Sequence, residues 1–167
     1  MKIFAVRDED NTTNKAVAYL FYYEKEKRFY IELPEEADPW ETPLILSSFL
    51  KKRQKTINAY WSRIWVQQRI VPSDRQNLGM ILRDNGLDFY DEYKLLMTNG
   101  RCSQDSYYLE PISEKDLPKE FVKRNQQKVE DVIPLPENQL LVFFRDGCVK
   151  KHDLVQLAGT DKRFAPV

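Results

Sequence analysis

Residues that commonly build catalytic and metal sites are scarce in this chain of 167 residues, which has one histidine, two cysteines and five glycines. Cys102 and Cys148 are too few and too far apart for a disulfide framework. Together with His152 they cannot readily supply the four ligands of a structural zinc site. The glycines form neither Gly-x-x-x-x-Gly-Lys nor Gly-x-Gly-x-x-Gly, so no phosphate-cradling loop is predicted. We therefore expect no metal and no cofactor.

The chain also lacks an excess of either charge and a long apolar run. Lysine plus arginine and aspartate plus glutamate both number 26, so no global field directs the protein to nucleic acid or to a membrane. Such binding would need a local patch. No run approaches the roughly 18 apolar residues of a transmembrane helix, and the opening residues MKIFAVRDEDN lack the apolar core of a signal peptide. These features predict a soluble cytoplasmic protein with reduced thiols.

The first 33 residues have the two-residue period of β-strands. KIFAV is a short apolar strand, and KAVAYLFYYEKEKRFYIEL indicates two strands around a charged turn. Both faces of the first of these two strands are largely apolar. That pattern favours a central strand covered on both sides, or one whose aromatic face is left for a partner. Three antiparallel strands are therefore predicted.

Between residues 42 and 100 the period changes to that of helices. Thr42 before Pro43 is a favourable helix entry, and Ser73 with Gln76 forms a capping-box pattern. The clearest stripe is aromatic and is predicted to be buried: Ile57, Tyr60, Trp61, Ile64, Trp65 and Gln68. Two later helices are predicted to turn these residues inward: Leu78, Ile81, Leu82, Phe89, Tyr93, Leu96 and Met97. Four short helices joined by tight turns should pack as one layer.

Extended structure returns in SQDSYYLEPI and, after a polar connector, in the last part of the chain. There VEDVIPL, QLLVFF and CVKKHDL predict a strand, a second strand and its hairpin partner. Asp146-Gly147 between the last two strands is a strong hairpin signal, because glycine accepts the positive φ that such turns require. We therefore predict a turn at these two residues.

These patterns together predict an α+β fold. It consists of an N-terminal antiparallel sheet, a layer of about four short helices and a C-terminal β-hairpin module. The expected organisation is an N-terminal α+β domain at 1–112, a connector at 113–128 and a C-terminal β module at 129–167. That module either stands alone or packs on the first domain.

Residues 129 to about 166 read VEDVIPLPENQLLVFFRDGCVKKHDLVQL, followed by RFAPV. This segment resembles the small bacterial family catalogued as domain of unknown function 2442. In that family a valine-rich strand precedes a second strand ending in phenylalanine, an Asp/Asn-Gly turn and a third strand ending in Asp-Leu. The matching positions are Val132, Leu140, Val142, Phe144, Asp146, Gly147, Asp153 and Leu154. Family members usually continue past the F-x-P element, so either the N-terminal layers complete the module or the chain is shortened.

The resemblance covers less than a quarter of the chain and implies a small non-catalytic bacterial α/β module. Such modules are often encoded beside toxin-like partners and are suspected of antitoxin or regulatory roles. The family has no catalytic residues that could be assigned to positions of this chain. The central segment WVQQRIVPSDRQNLGMILRDNGLDFYDEYKLL is also similar to small proteins associated with HipA-like kinase toxin systems.

Cys148, His152 and Asp153 form the first candidate site. On a strand, Cys148 and His152 share a face but lie roughly 13 Å apart at about 3.3 Å per residue. That distance is too long for a thiol–imidazole pair. Asp153 points to the opposite face, so a structural role is favoured over catalysis or metal binding.

Basic residues form the second candidate site. Lys51, Lys52, Arg53 and Lys55 are interpreted as a solvated helix end. Arg63 and Arg69 lie off the aromatic stripe, and Arg75 lies at a helix start. These three arginines are the candidates for binding the phosphates of a nucleic acid.

Acidic residues near turns form a third group: Asp38, Glu41, Asp91 and Glu92. Negative charges at these places complement helix N-termini without any catalytic purpose. A hydrolase with paired carboxylates stays an alternative, although nothing in the sequence fixes a spacing between two of these residues.

The fourth candidate site consists of tyrosines on the N-terminal strands: Tyr19, Tyr22, Tyr23 and Tyr30. Tyrosine is enriched at interfaces because it buries a large area and keeps a polar handle. An ordinary core is the alternative interpretation of the same residues.

The function expected from the sequence is a non-enzymatic bacterial protein-interaction module, an antitoxin-like or accessory regulator that binds a partner protein, with a toxin-like protein as one candidate. The first alternative is a nucleic-acid-binding regulator that uses the arginine region. The second is a hydrolase-type enzyme. The sequence predicts neither the identity of the partner nor the oligomeric state.

Overall fold

The computed structural model describes residues 1–13, 15–102, 105–126, 128–145 and 147–155. The chain divides into two compact units, Met1–Ser113 and Glu114–Val167. Among these described residues, the first unit holds an antiparallel sheet and four α-helices, and the second holds one α-helix and a smaller antiparallel sheet. The prediction of an α+β fold is therefore confirmed.

The sheet of the first unit has five strands. They are β1 (Lys2–Asp8), β2 (Ala18–Tyr23), β3 (Arg28–Glu32), β4 (Thr56–Ile57) and β5 (Tyr107–Ile112). Their order across the sheet is β4-β3-β2-β1-β5, and every pairing is antiparallel. The three predicted N-terminal strands form the centre. Two segments that are distant in the sequence add the edges.

Four helices follow β3 in the first unit. They are α1 (Leu44–Lys51), α2 (Ala59–Gln67), α3 (Leu78–Asp84) and α4 (Glu92–Asn99). The side chains of Asn58 and Asp91 accept hydrogen bonds from backbone N–H groups in the first turns of α2 and α4. Gly100 ends α4 with a left-handed φ of 52°, a conformation that glycine adopts without strain.

Helix α2 faces the sheet with a different set of residues from the one predicted. Its buried residues are Ser62, Trp65 and Val66, whereas Tyr60 is 67% exposed and Trp61 is 39% exposed. Ile57, the predicted start of the stripe, belongs to strand β4. The prediction that the aromatic stripe is buried is therefore wrong for Tyr60 and Trp61.

Helices α3 and α4 also differ from the prediction. Ser73 and Gln76 lie in turns before α3, which begins at Leu78 without a capping side chain. Phe89 and Met97, expected to point inward, are 57% and 42% exposed. Asp91 starts α4 later than expected, so Phe89 lies outside the helix and on the surface.

The core of the first unit lies between one face of the sheet and the helices. Strands β1 to β4 supply Phe4, Val6, Leu20, Ile31 and Ile57, and the helices supply Leu46, Trp65, Val66, Leu95 and Leu96. Together these buried residues position α2 and α4 across the sheet.

The second unit begins with a 3-10 turn at Glu114–Asp116 and helix α5 (Lys119–Gln126). Strands β6 (Val129–Leu135), β7 (Gln139–Phe144) and β8 (Val149–Asp153) form its antiparallel sheet. Glu137 and Asn138 between β6 and β7 both have left-handed φ values, as in the tight turns that suit twisted hairpins. Gly147 has a φ of 80° in the predicted turn between β7 and β8. Asp146 and the RFAPV segment lie outside the described residues.

Among the residues that the structure describes, no helix has both the length and the apolar character needed to cross a bilayer.

Candidate partner-binding groove

A cavity of about 530 Å³ opens on the surface of the first unit. The turn between β2 and β3, the first turn of α2 and the segment entering α4 surround it. Its aromatic lining residues are Tyr22, Phe29, Tyr60, Phe89, Tyr90 and Tyr93. We call this feature the aromatic groove.

The floor of the aromatic groove consists of packed rings. Tyr22 and Tyr93 stack with ring centroids 4.3 Å apart and planes 4° from parallel. Tyr22 also contacts Phe29 at a centroid distance of 4.8 Å. Burial raises the pKa of the Tyr22 hydroxyl, and the nearby carboxylate of Asp91 raises it further. The floor is therefore uncharged, and its three rings hold one another in place by stacking.

The rim of the groove exposes large aromatic side chains. Tyr60 packs edge-to-face on Trp61 with centroids 5.3 Å apart, and Trp61 packs in the same way on Phe49. The Lys94 ammonium lies 5.4 Å from the centroid of the Phe89 ring. Tyr60 and Phe89 thus expose much of their ring surface to solvent while neighbouring side chains hold them.

An ion pair joins α2 to α4 at the edge of the groove. Arg63 Nε donates to both carboxylate oxygens of Glu92, at 2.8 and 2.9 Å, and Gln67 Nε2 donates to the same carboxylate at 2.9 Å. Tyr90 is fixed by a hydrogen bond from its hydroxyl to the carbonyl oxygen of Val71, and burial raises the pKa of this hydroxyl. These contacts fix the walls of the groove.

Charges of both signs surround the aromatic rings. Lys27 and Arg28 line the groove on the side of the β2–β3 turn, together with Glu26. Asp91 lines the opposite side, where its carboxylate accepts a hydrogen bond from the Lys94 backbone N–H. A ligand of this groove would meet an apolar centre with a mixed-charge rim.

Only some of the four predicted partner-binding tyrosines are exposed to solvent. Tyr19 is 8% exposed and Tyr22 is 6% exposed, so neither ring offers a free face on the surface. Tyr23 and Tyr30 are half-buried and pack edge-to-face with centroids 5.5 Å apart. Only Tyr22 among the four lines the aromatic groove, where it forms part of the floor. The burial of Tyr19 favours the ordinary-core interpretation for that residue, and the assignment of the tyrosines to a partner surface stays a prediction.

The three predicted phosphate-binding arginines have different surroundings. Arg69 is buried, donates to Asp105 at 2.6 Å and stacks 3.6 Å from the centroid of the Trp65 ring. Its guanidinium cannot contact a phosphate on the surface, so the hypothesis is corrected for this residue. Arg63 is exposed but paired with Glu92. Arg75 is exposed and donates to the side-chain oxygen of Asn77.

The Cys148, His152 and Asp153 group lies in the second unit. His152 is paired with Leu140 in the β7–β8 ladder, and Cys148 is an exposed residue just before β8. Within the described part of the chain, no three His, Cys, Asp or Glu side chains come together as metal ligands.

Sequence reasoning assigned the two most exposed aromatic residues of the groove, Tyr60 and Phe89, to the core. For Tyr60, one signal in the sequence could have indicated that its side chain lies outside the core. Ser62, Val66, Arg69 and Ile70 form, with Trp65, a second stripe at helical spacing on the same segment.

No protein-family model, curated protein or solved structure matches the chain. The resemblance of residues 129–166 to domain of unknown function 2442, and that of the central segment to proteins of HipA-like toxin systems, stay predictions.

Proposed function

We propose that this chain is a non-enzymatic protein-interaction module, an antitoxin-like or accessory regulator that binds a partner protein through the aromatic groove. The observation that carries the proposal is the exposure of Tyr60 and Phe89, at 67% and 57%, beside a floor of packed aromatic rings. Large exposed apolar residues that surround a concavity are a common feature of protein-binding sites.

The energetic advantage of covering this groove is substantial. Each of the two rim rings would remove roughly 100 Å² of further surface from water, which at ~25 cal/mol per Å² contributes about 2.5 kcal/mol before the costs of association. The floor rings already stack on one another, so little additional ordering is needed on binding. Such anchors often dominate the affinity of an interface.

The groove also favours a particular kind of partner segment. An apolar or aromatic side chain fits the centre, because the floor is made of rings. Charges of both signs flanking that side chain would complement Lys27 and Arg28 on one side and Asp91 on the other. The expected occupant is therefore a segment of a folded partner that carries an apolar anchor between an acidic and a basic residue.

Native co-purification with mass spectrometry tests the proposal. The full chain should bring down one stoichiometric protein, and Tyr60→Ala or Phe89→Ala should release it because each variant removes an exposed ring without touching the core. Trp40→Ala is the matched control, since Trp40 is 93% exposed and lies outside the groove lining. Recovery of the chain alone, or equal release by Trp40→Ala, would contradict the proposal. Circular dichroism should show that all three variants fold.

A further inference from the structure

Trp40, in the loop between β3 and α1, is the most exposed large apolar side chain in the described part of the chain, at 93%. Tryptophan is highly buried on average in folded proteins, because its side chain presents roughly 150–250 Å² of mostly apolar surface. An almost fully exposed indole is therefore a candidate anchor for another molecule, provided that its loop holds it in one position.

The loop around Trp40 is a hydrogen-bonded turn. The Glu41 N–H donates to the carbonyl oxygen of Asp38 at 3.2 Å, and the Trp40 N–H donates to the Asp38 carboxylate at 2.8 Å. Pro39 occupies the second position of this turn, where its fixed φ is favourable. The Tyr107 hydroxyl donates to the carbonyl oxygen of Glu41 at 3.1 Å and ties the turn to β5. The indole is thus presented from a turn that is ordered before any binding occurs, which lowers the entropic cost of association.

The turn and the aromatic groove lie at opposite ends of the five-stranded sheet. Tyr107, which holds the turn, pairs with Asp8 at the end of β1. Tyr22, in the floor of the groove, pairs with Lys2 at the start of β1. These two ends are roughly 20 Å apart at about 3.4 Å per residue. Trp40 therefore does not fill the groove of its own copy, but a second copy can bring the same indole to it.

The groove has the size and the lining that an indole requires. Its volume of about 530 Å³ is within the range of pockets that enclose small ligands. Tyr60 and Phe89 on its rim are 67% and 57% exposed, so both rings have free surface. Aromatic rings pack favourably on one another in offset or edge-to-face arrangements. An indole in the groove would cover these two rings and bury its own surface at the same time.

Charge complementarity between the turn and the groove favours this occupant. Asp38 and Glu41 are the two ends of one turn, with α-carbons within about 7 Å of each other, so they bring two negative charges close together. Lys27 and Arg28 line the groove beside the β2–β3 turn, and neither forms an ion pair with another described residue. An indole that enters from this side of the groove places the two carboxylates next to the two cations.

We propose that Trp40 of one copy docks in the aromatic groove of a second copy, and that this self-association covers the groove when no partner is bound. The docking itself requires no partner, and only its regulatory consequence rests on the proposed function. One indole with its turn buries far less than the roughly 800 Å² per side of a stable complex, so the association is weak and reversible.

The groove also explains how a partner displaces the second copy. Glu26 and Asp91 line it as well, and both repel a turn that carries two carboxylates. A partner segment with a basic residue beside its apolar anchor avoids this repulsion and binds more tightly. Removing the indole of Trp40 should therefore not release a bound partner.

Sedimentation velocity of the purified full chain tests the proposal. Between about 10 µM and 0.5 mM the weight-average mass should rise above that of one copy. Trp40→Ala and Phe89→Ala should each lower the association constant by about tenfold or more, because each removes one side of the contact. Met80→Ala is the matched control: Met80 is 59% exposed and lies outside both the turn and the groove lining, so this variant should associate like the unmodified chain.

Mixing two variants distinguishes docking in a second copy from any other self-association. Trp40→Ala keeps an intact groove and Phe89→Ala keeps an intact indole, so the equimolar mixture should associate although neither variant does so alone. A charge exchange tests the rim in the same way. Arg28→Glu should weaken self-association, and adding Glu41→Arg to the same chain should restore it.

A chain that stays monomeric up to about 0.5 mM overturns the inference, and so does association that Trp40→Ala leaves unchanged. Absence of association in the mixture of the two variants overturns it as well. Each of these results leaves the proposed function standing, since capture of a partner through Tyr60 and Phe89 needs no second copy. Self-association without capture of any partner would overturn the proposed function alone.

Discussion

Arg69 illustrates how a single charged residue can be buried in this protein. Its guanidinium lies over the Trp65 ring, and its charge is balanced by Asp105. Burial lowers the pKa of the Arg69 guanidinium, while Asp105 opposes that shift. The side chain of Arg69 has no exposed surface, whereas that of Asp105 is 25% exposed. The carboxylate therefore stabilises a cation that water cannot reach.

The first prediction concerns this ion pair. Asp105→Ala should lower the free energy of unfolding by about 3 kcal/mol, because it leaves the Arg69 cation buried without its partner. Glu92→Ala is the matched control. It removes the partner of Arg63, which is 61% exposed and stays solvated, so the loss should be about 1 kcal/mol or less. Urea denaturation of both variants measures the difference, and equal losses would contradict the assignment of Arg69 to the interior.

The same helix shows why some residues of the site could not be predicted. The predicted and observed stripes of α2 share Trp65 but are rotated by about one residue. The predicted stripe has more aromatic residues, whereas the observed one contains the polar residues Ser62 and Arg69. Hydrophobicity alone favours the first stripe. Burial of the second depends on hydrogen-bond partners in β3, β4 and the segment before β5, and those in β3 and before β5 lie more than 30 positions away in the sequence.

At the scale of elements, Ser62 joins α2 to the edge of the sheet. Its hydroxyl accepts a hydrogen bond from the N–H of Ile31 at 2.9 Å and donates one to the carbonyl oxygen of Ile57 at 3.2 Å. Ile31 and Ile57 are themselves paired across β3 and β4. One hydroxyl thus connects a helix to two strands, and it fixes which face of α2 is buried. It thereby keeps Tyr60 on the surface at the groove.

The second prediction follows from this link. Ser62→Ala should lower the free energy of unfolding by about 2 kcal/mol, because two buried backbone groups lose their partner. Ser48→Ala is the matched control. Ser48 is exposed and donates to the carbonyl oxygen of Ile45 in its own helix, so the loss should stay within about 0.5 kcal/mol. Chemical denaturation compares the two. A loss for Ser62→Ala no larger than that of the control would show that the hydroxyl does not hold α2 on the sheet.

The elements themselves were largely predictable, because each depends on local pattern. The alternation of β1 to β3 and the 3.6-residue period of the helices both appear in the structure. The pairing of β5 with β1 was not predicted, since it joins residues about a hundred positions apart through backbone hydrogen bonds that carry no side-chain signature. The short edge strand β4 was missed because Ile57 also fits a helical stripe. Sequence periodicity therefore predicts where strands and helices lie, but it does not predict which distant strands pair with each other.

At the scale of the whole molecule, the numbers of basic and acidic residues are equal. The chain has 26 basic and 26 acidic residues, and both units are close to neutral. Several surface cations are paired with acidic residues: Arg7 with Glu110, Lys55 with Glu35, and Arg63 with Glu92. With no excess of positive charge, we expect binding to a polyanion to be weak.

The third prediction separates the proposed protein partner from a nucleic acid. Binding to nucleic acid depends on cations that neutralise phosphates and release counterions, so it requires basic residues that are not already paired. The full chain should therefore elute from single-stranded DNA–cellulose at pH 7.5 below about 0.1 M NaCl. A Glu35→Gln, Glu92→Gln and Glu110→Gln variant, which removes three acidic partners, should elute later and serves as the positive control. Retention of the unmodified chain above about 0.3 M NaCl, reduced by Arg75→Ala, would favour a nucleic-acid-binding regulator over the proposed protein-interaction module.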